Sequence, residues 1–259
     1  MNQLEKEDLQ WVQTEDGSFT PRRIQGNVLY KSSHGARTES QQIFINGAHL
    51  SSLAQDSWTI LELGFGAGMN FHNCMLKATI EQKSLHYIAV DHLPLPPQYT
   101  RCEITKHVLS EARRTGAVVE YSFGSHILTL YPHPWQNLKT ICAADAVFHD
   151  PFAPNTNPEC WTKSCFEWEA QNLKSSGILT TYSAAGHIRR ALAKAGFFVA
   201  IGPGVGRKRE TTRASRKLVK LSSYKIKYRP RQEFAASETS DALQKEEPHF
   251  PNGDPFPQP

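Results

Sequence analysis

Three glycines at alternate positions, Gly64, Gly66 and Gly68, stand in the stretch TILELGFGAGMNF (Thr59 to Phe71), between an apolar β-forming run and a helical pattern. A strand, a glycine turn and a helix N-terminus make a nucleotide cradle, because the backbone can approach a ligand closely and the first helical amides point outward unpaired. The spacing excludes a phosphate loop of the G-x-x-x-x-G-K-[ST] kind, since Met69 and Asn70 follow Gly68 where Lys and a hydroxyl residue are required. A little over twenty residues on, Asp91 closes the run LHYIAVD, and an acid there can accept hydrogen bonds from both hydroxyls of a ribose. The glycines alone suit NAD equally well, and Asp91 alone suits a turn cap; together they describe a nucleoside-binding unit.

The second constellation is DAVFHDPFAPNTNPECW, Asp145 to Trp161. A strand delivers Asp150 to the carboxyl edge of a sheet. Pro151, Pro154 and Pro158 then impose an extended loop that cannot continue the strand and is expected to wall the site.

These residues need a sheet to hold them. Short apolar β-like runs alternate with helical stretches, the pattern of a parallel sheet covered by helices on both faces. Strands are predicted over Trp58–Leu63, Leu85–Asp91, Asp145–Asp150, Ile178–Tyr182 and Phe197–Ile201. Helices are predicted over Met69–Gln82, Ile104–Arg114, Thr162–Lys174 and His187–Lys194. Before the sheet, SFTPRRIQGNVLYKSSHGARTESQQIFINGAHL reads as short strands and turns. The expected organisation is an N-terminal β-rich extension over 1–57, a core over 58–222 and a tail over 223–259 that is basic at first, then acidic, proline-rich and disordered.

With 259 residues, 39% of them apolar, the chain can bury one substantial core. No run is apolar enough to span a bilayer and the start lacks a secretory pattern, so a cytoplasmic protein is expected. Five cysteines without a C-x-x-C pair suggest neither a disulfide framework nor structural zinc, and His72, His149 and His187 show no metal-ligand spacing. The net charge of +4 is concentrated: between Arg207 and Arg231 eleven Lys/Arg stand against the single Glu210. Such a block is an electrostatic footprint for a polyanion, usually nucleic acid, or else a solvated strand with an inert basic end.

The blocks LELGFGAGMNF, DAVFHDPFAPNTNPECW, GILTTYSAAGHIRRALAKAGF and GVGRKRE, with an earlier echo in VLYKSSHGARTESQQIFINGAHL, resemble the methyltransferase of the MnmC type. That family finishes 5-methylaminomethyl-2-thiouridine at the wobble position of tRNA. The likeness runs from about Gln10 to Ala214. It implies an α/β, class I methyltransferase-like (Rossmann-like) fold with a mostly parallel seven-stranded sheet. It implies S-adenosylmethionine as methyl donor, the anticodon stem-loop of tRNA as partner, and a separate FAD-dependent oxidase in place of the family's usual second half.

By the same resemblance, Glu62, Gly64, Phe65, Gly66, Gly68, Asn70 and Asp91 bind the cofactor and Asp150 is catalytic. A carboxylate there aligns an amine, accepts its proton and stabilises the cationic product. Phe152, Pro154 and Trp161 are expected on the substrate, the aromatics stacking on a splayed uracil unless they are core. Lys208 and Arg209 are expected near phosphates, with Glu210 ordering them. The sequence departs from the family where Pro151 follows Asp150, where His133 and Pro134 replace a Gly-Asp pair, and where Asp91 replaces Glu. Two other readings stand: a spermidine-synthase-type aminopropyltransferase, which leaves the basic block without a role, and a binding protein that has lost catalysis.

Overall fold

The computed structural model describes residues 9–206 and 209–230. Nine strands form one sheet, and its five central strands are parallel. They are β4 (Ser57–Leu63), β5 (Ser84–Val90), β7 (His126–Tyr131), β8 (Ala144–His149) and β9 (Leu173–Thr181). Antiparallel strands flank them: β6 (Val119–Phe123) on one side, and β10 (Phe198–Pro203), β11 (Glu210–Ser215) and β12 (Ile226–Tyr228) on the other. The order across the sheet is β12-β10-β11-β9-β8-β4-β5-β7-β6. The seven strands expected from the resemblance are therefore present, with a short strand added at each edge.

Period-two alternation splits the apolar residues between two faces. Trp58, Ile60, Tyr87, Ala146 and Phe148 pack under α2 (Met69–Ile80) and α3 (Glu103–Thr115). Leu61, Leu63, Val147 and Leu179 pack under α4 (Lys163–Asn172) and α5 (Gly186–Lys194). Local signals set the helix ends. Gly68 takes the left-handed conformation at the start of α2 (φ 72°), Gly116 does so after α3 (φ 64°), and the Thr162 hydroxyl accepts from the Cys165 amide to cap α4. The parallel centre leaves the carboxyl ends of β4, β5 and β8 side by side, the place where open α/β sheets bind ligands.

Three expectations change. The N-terminal segment does form an antiparallel sheet of β1 (Leu9–Gln13), β2 (Phe19–Arg23) and β3 (Val28–Leu29). After Gly35, however, it turns helical, with α1 (Ala36–Glu39) running into a π-helical stretch, Ser40–Ile45. Its apolar residues come as a consecutive triplet, Ile43, Phe44 and Ile45, which carries no helical period, yet all three are buried. Next, α4 stops at Asn172 and β9 starts at Leu173, because the buried Asn172 carboxamide oxygen accepts from the Ile141 and Cys142 amides at 2.7 and 3.1 Å. Finally, the chain beyond residue 222, expected to lie outside the core, supplies β12. The acidic, proline-rich end lies outside the described residues.

Candidate active site

A cavity of about 730 Å³ opens over the carboxyl ends of the parallel strands. One wall is the glycine loop. Gly64 has φ +90° and a Cβ there would lie 2.6 Å from the Asp150 carbonyl oxygen; Gly66 has φ +52° and a Cβ would lie 3.1 Å from the Tyr30 ring. A side chain is excluded at Gly64 and disfavoured at Gly66 by its positive φ and the tight contact, and with glycine at both places bare backbone faces the cavity. Asp91 stands at the end of β5, where its carboxylate accepts from the Gly66 and Leu93 amides at 3.0 and 3.1 Å. It holds the loop and also lines the cavity. Burial raises its pKa, opposed by those amides.

The floor is a charged cluster. The Asp150 amide donates to the Leu63 carbonyl at 2.9 Å, which fixes Asp150 beside Gly64. Its carboxylate accepts from the Asn70 amide at 2.8 Å and from the Lys31 ammonium. Lys31 also donates to the Asn70 carboxamide oxygen at 3.1 Å, lies 4.0 Å from Glu39, and sits 4.4 Å from the Phe44 ring centre. One layer down, Glu62 accepts from Asn70 at 2.6 Å and from the Tyr87 hydroxyl at 2.7 Å.

Burial is the chief force on these groups. It raises Asp150, with Glu39 adding to the rise and Lys31 opposing it. It pushes Glu62 up to about 8, helped by the Asp150 charge. Burial works against the charge of Lys31 as well, but Asp150, Glu39 and Glu62 outweigh it and hold its pKa above the ordinary value.

The remaining wall is aromatic. Phe152 meets Tyr30 edge-on at 4.8 Å, with the Arg23 guanidinium 5.4 Å from its ring, and Tyr182 donates to the Pro151 carbonyl at 2.9 Å. His133, Pro134 and Trp135 line the same cavity, so the residues replacing the family's Gly-Asp pair do face it.

The fold of the chain is also the fold of MNMC2 from Aquifex aeolicus, with a TM-score of 0.67 and 26% identity over 88% of this chain and 74% of that one. Residues 135–217 match the model of an S-adenosyl-L-methionine-dependent methyltransferase family. Curated relatives named tRNA 5-methylaminomethyl-2-thiouridine biosynthesis bifunctional protein MnmC include one from Hahella chejuensis, 31% identical over 81% of this chain and 36% of its own, and one from Marinomonas sp., 28% identical over 81% and 34%. The chain belongs to the MnmC-type methyltransferase family. It has the class I methyltransferase fold, is an S-adenosylmethionine-dependent enzyme, and spans about a third of the length of these curated relatives. Spermidine synthase from Thermotoga maritima shares the fold, with a TM-score of 0.51 at 11% identity. No helix among the described residues is long and apolar enough to cross a membrane.

The candidate residues divide between this cavity and its supports. Gly64, Phe65, Gly66, Asp91, Asp150 and Phe152 line it. Glu62 and Asn70 lie beneath it, each 1% exposed, and Gly68 packs against Thr105. Pro154 shapes the loop without lining the cavity. Trp161 is a correction: its ring is buried against His149 and Tyr182, and its indole N–H donates to the Phe152 carbonyl at 2.8 Å. An indole with an apolar body and one donor suits that interior place, so it braces the loop and does not stack on a ligand. Glu210 pairs with Arg189 of α5 at 2.8 Å, a partner outside the basic block. Arg209 is exposed and Lys208 lies outside the described residues. Arg213, counted in the basic block, is buried with its guanidinium 4.3 Å from the Tyr224 ring centre.

Sequence reasoning missed Lys31, Glu39, Tyr30 and Tyr182. Tyr182 was open to the rule that found Asp91 and Asp150, because it directly follows β9. The other three come from the N-terminal layer, where their place inside the family-like block VLYKSSHGARTESQQIFINGAHL gave the signal.

Proposed function

We propose that this chain N-methylates the aminomethyl group of 5-aminomethyl-2-thiouridine at the tRNA wobble position. The observation that carries the reading is Asp150: a buried carboxylate at a strand end, beside the glycine loop, already holding an ammonium group. S-adenosylmethionine fits the neighbouring wall, where Gly64 and Gly66 present only backbone and Asp91 offers carboxylate oxygens to a ribose. Gly64, Phe65, Gly66 and Asp91 would hold it, with Glu62 and Asn70 supporting the floor from below. When bound, it supplies a methyl group already activated by a sulfonium charge.

The residues of the chain then serve the acceptor. Asp150 orients the amine nitrogen and accepts the proton that a cationic amine must lose. Phe152 and Tyr30 offer aromatic faces to a base taken out of its stack, and the walls exclude water. Exposed Arg209, Lys220, Lys225, Lys227 and the neighbouring Arg229 supply cations for phosphates. The relatives' name specifies this thiouridine pathway. An FAD-dependent oxidase that exposes the aminomethyl group is the partner activity this reading requires.

The test is transfer of labelled methyl to tRNA from a strain lacking the enzyme, with putrescine as the competing acceptor. Label confined to the wobble uridine is expected. Labelled methyl on putrescine alone would favour a small-amine methyltransferase. Label on neither, with putrescine converted when decarboxylated S-adenosylmethionine is supplied, would favour an aminopropyltransferase-like site, and no product from either donor a binding protein without catalysis.

A further inference from the structure

The ammonium of Lys31 sits in a complete cation cage: the carboxylates of Asp150 and Glu39, the Asn70 carboxamide oxygen and the face of Phe44. Its side chain is only 9% exposed, and Lys31, Glu39 and Asp150 all line the cavity. The chain has thus placed its own primary ammonium on the carboxylate that, in the function proposed above, orients a primary amine. An acceptor amine reaching Asp150 must share the cage with a second positive charge.

We infer that Lys31 is a positioning residue that keeps the acceptor amine unprotonated, its fixed positive charge driving the acceptor's proton off at the shared carboxylates. The inference rests on the proposed function. An amine attacks only through its lone pair, and an alkylammonium near neutral pH has none available. A like charge within about 4–6 Å disfavours the protonated form, typically by about one to three pKa units, and a neighbouring cation is an established way to activate an amine. The proton leaves the acceptor nitrogen for the Asp150 carboxylate, and the nitrogen keeps the electron pair. Lys31 retains its own proton because it keeps Glu39 as counter-ion.

Every group around Asp150 fits this division. Lys31 follows β3, Glu39 ends α1 and Glu62 lies on β4; Asn70 of α2, Tyr87 of β5 and Tyr182 after β9 complete the shell. His149, the preceding residue, turns to the opposite face and meets Glu169 of α4 at 2.8 Å. Lys31 is the one cation among these described groups in direct contact with the Asp150 carboxylate.

Two measurements test the inference. The first is the single-turnover rate of methyl transfer to an anticodon stem-loop carrying the aminomethyl uridine, followed against pH. In Lys31→Met the acid limb should move upward by about one unit or more, with KM for the acceptor lowered and the rate at neutral pH down about tenfold, because the acceptor then has the carboxylates to itself. Lys31→Arg, always cationic, should leave the limb in place. A limb unmoved in Lys31→Met, or moved equally in Lys31→Arg, overturns the inference.

The second is calorimetric binding of methylammonium, which needs no turnover. Lys31→Met should bind it several-fold more tightly than the parent at neutral pH, and Lys31→Met combined with Asp150→Asn should abolish that gain. Equal binding by parent and Lys31→Met overturns the shared cage. If methylammonium behaves as expected while the parent leaves the stem-loop unmethylated at every pH, the tRNA assignment fails and the cage stands.

Discussion

The cavity floor and the basic sheet edge hold charge in opposite ways. On the floor a few ionisable groups, Lys31, Glu39, Glu62 and Asp150, are almost wholly withdrawn from water and linked to one another directly or through Asn70. At the edge, Lys225, Lys227 and Arg229 lie on and beside β12, each exposed to water. A buried charge is costly unless paired, so each floor group depends on its neighbours and a single change is felt throughout. Exposed charges are screened and act as a sum, and lysines on an edge strand also discourage pairing with another chain. Chemistry is thus expected where charges are few and coupled, and polyanion docking where they are many and loose.

The sharpest way to break this contrast is Asp150→Asn. Methyl transfer should slow by about a hundredfold or more in single turnover, while calorimetry finds S-adenosylmethionine affinity near normal. An unchanged rate would remove Asp150 from the chemistry. Next in size is Asp91→Ala, which deletes the acid at the cavity wall and the acceptor for the Gly66 and Leu93 amides. Cofactor binding should weaken by roughly 1.5–3 kcal/mol, the range for hydrogen bonds to a charged group. Binding as tight as the parent's would show that Asp91 only caps the loop.

Glu62→Gln probes the coupling beneath the floor. A carboxyl raised to about 8 from an ordinary value of 4.5 binds its proton more tightly in the folded than in the unfolded chain. Its contribution to stability is full at acid pH and is lost as pH rises between those values. Urea unfolding should therefore show the parent losing stability across that window relative to Glu62→Gln; parallel pH profiles would contradict the burial argument. The smallest effect belongs to the basic block, probed in the connection that leads from β11 to the edge strand. Replacing Lys217 and Lys220 with Glu should raise KM for tRNA a few-fold and flatten the salt dependence, by about one unit of log–log slope for each phosphate no longer neutralised, without touching cofactor affinity. A large drop in turnover at constant KM would instead bring these lysines into the chemistry.

The sequence exposed those parts of the site that follow one strand-end rule. Gly64, Asp91 and Asp150 each stand where a parallel strand gives out, and period-two apolar runs announce such strands. Lys31 and Glu39 escaped because the segment holding them has no regular period: β3 is two residues long, and the buried triplet Ile43-Phe44-Ile45 belongs to a π-helical stretch. Trp161 and Glu210 show the other limit. Their types were compatible with a ligand, but the fold gives each a partner 9 or 21 positions away, the Phe152 carbonyl for Trp161 and Arg189 for Glu210. Counting cations likewise overestimated the basic block, because Arg213 carries its charge inside the core.

The contact between Lys31 and Asp150 joins residues 119 positions apart. In terms of folding order, Lys31 is synthesised long before its carboxylate exists, and β4 acquires its second parallel neighbour, β8, only after α2, β5, α3, β6 and β7 have been made. Closing so long a loop costs entropy that only the completed contacts offset, so such pairings tend to form late. The glycine cradle, framed by β4 and β5, can therefore assemble early, whereas the acceptor cage and its aromatic wall must wait for the N-terminal layer to dock beside β8. In pulse-labelled hydrogen exchange during refolding, amides of β4 and β5 should become protected ahead of those around Lys31. The half of the cavity assigned to the cofactor would then mature before the half that chooses what is methylated.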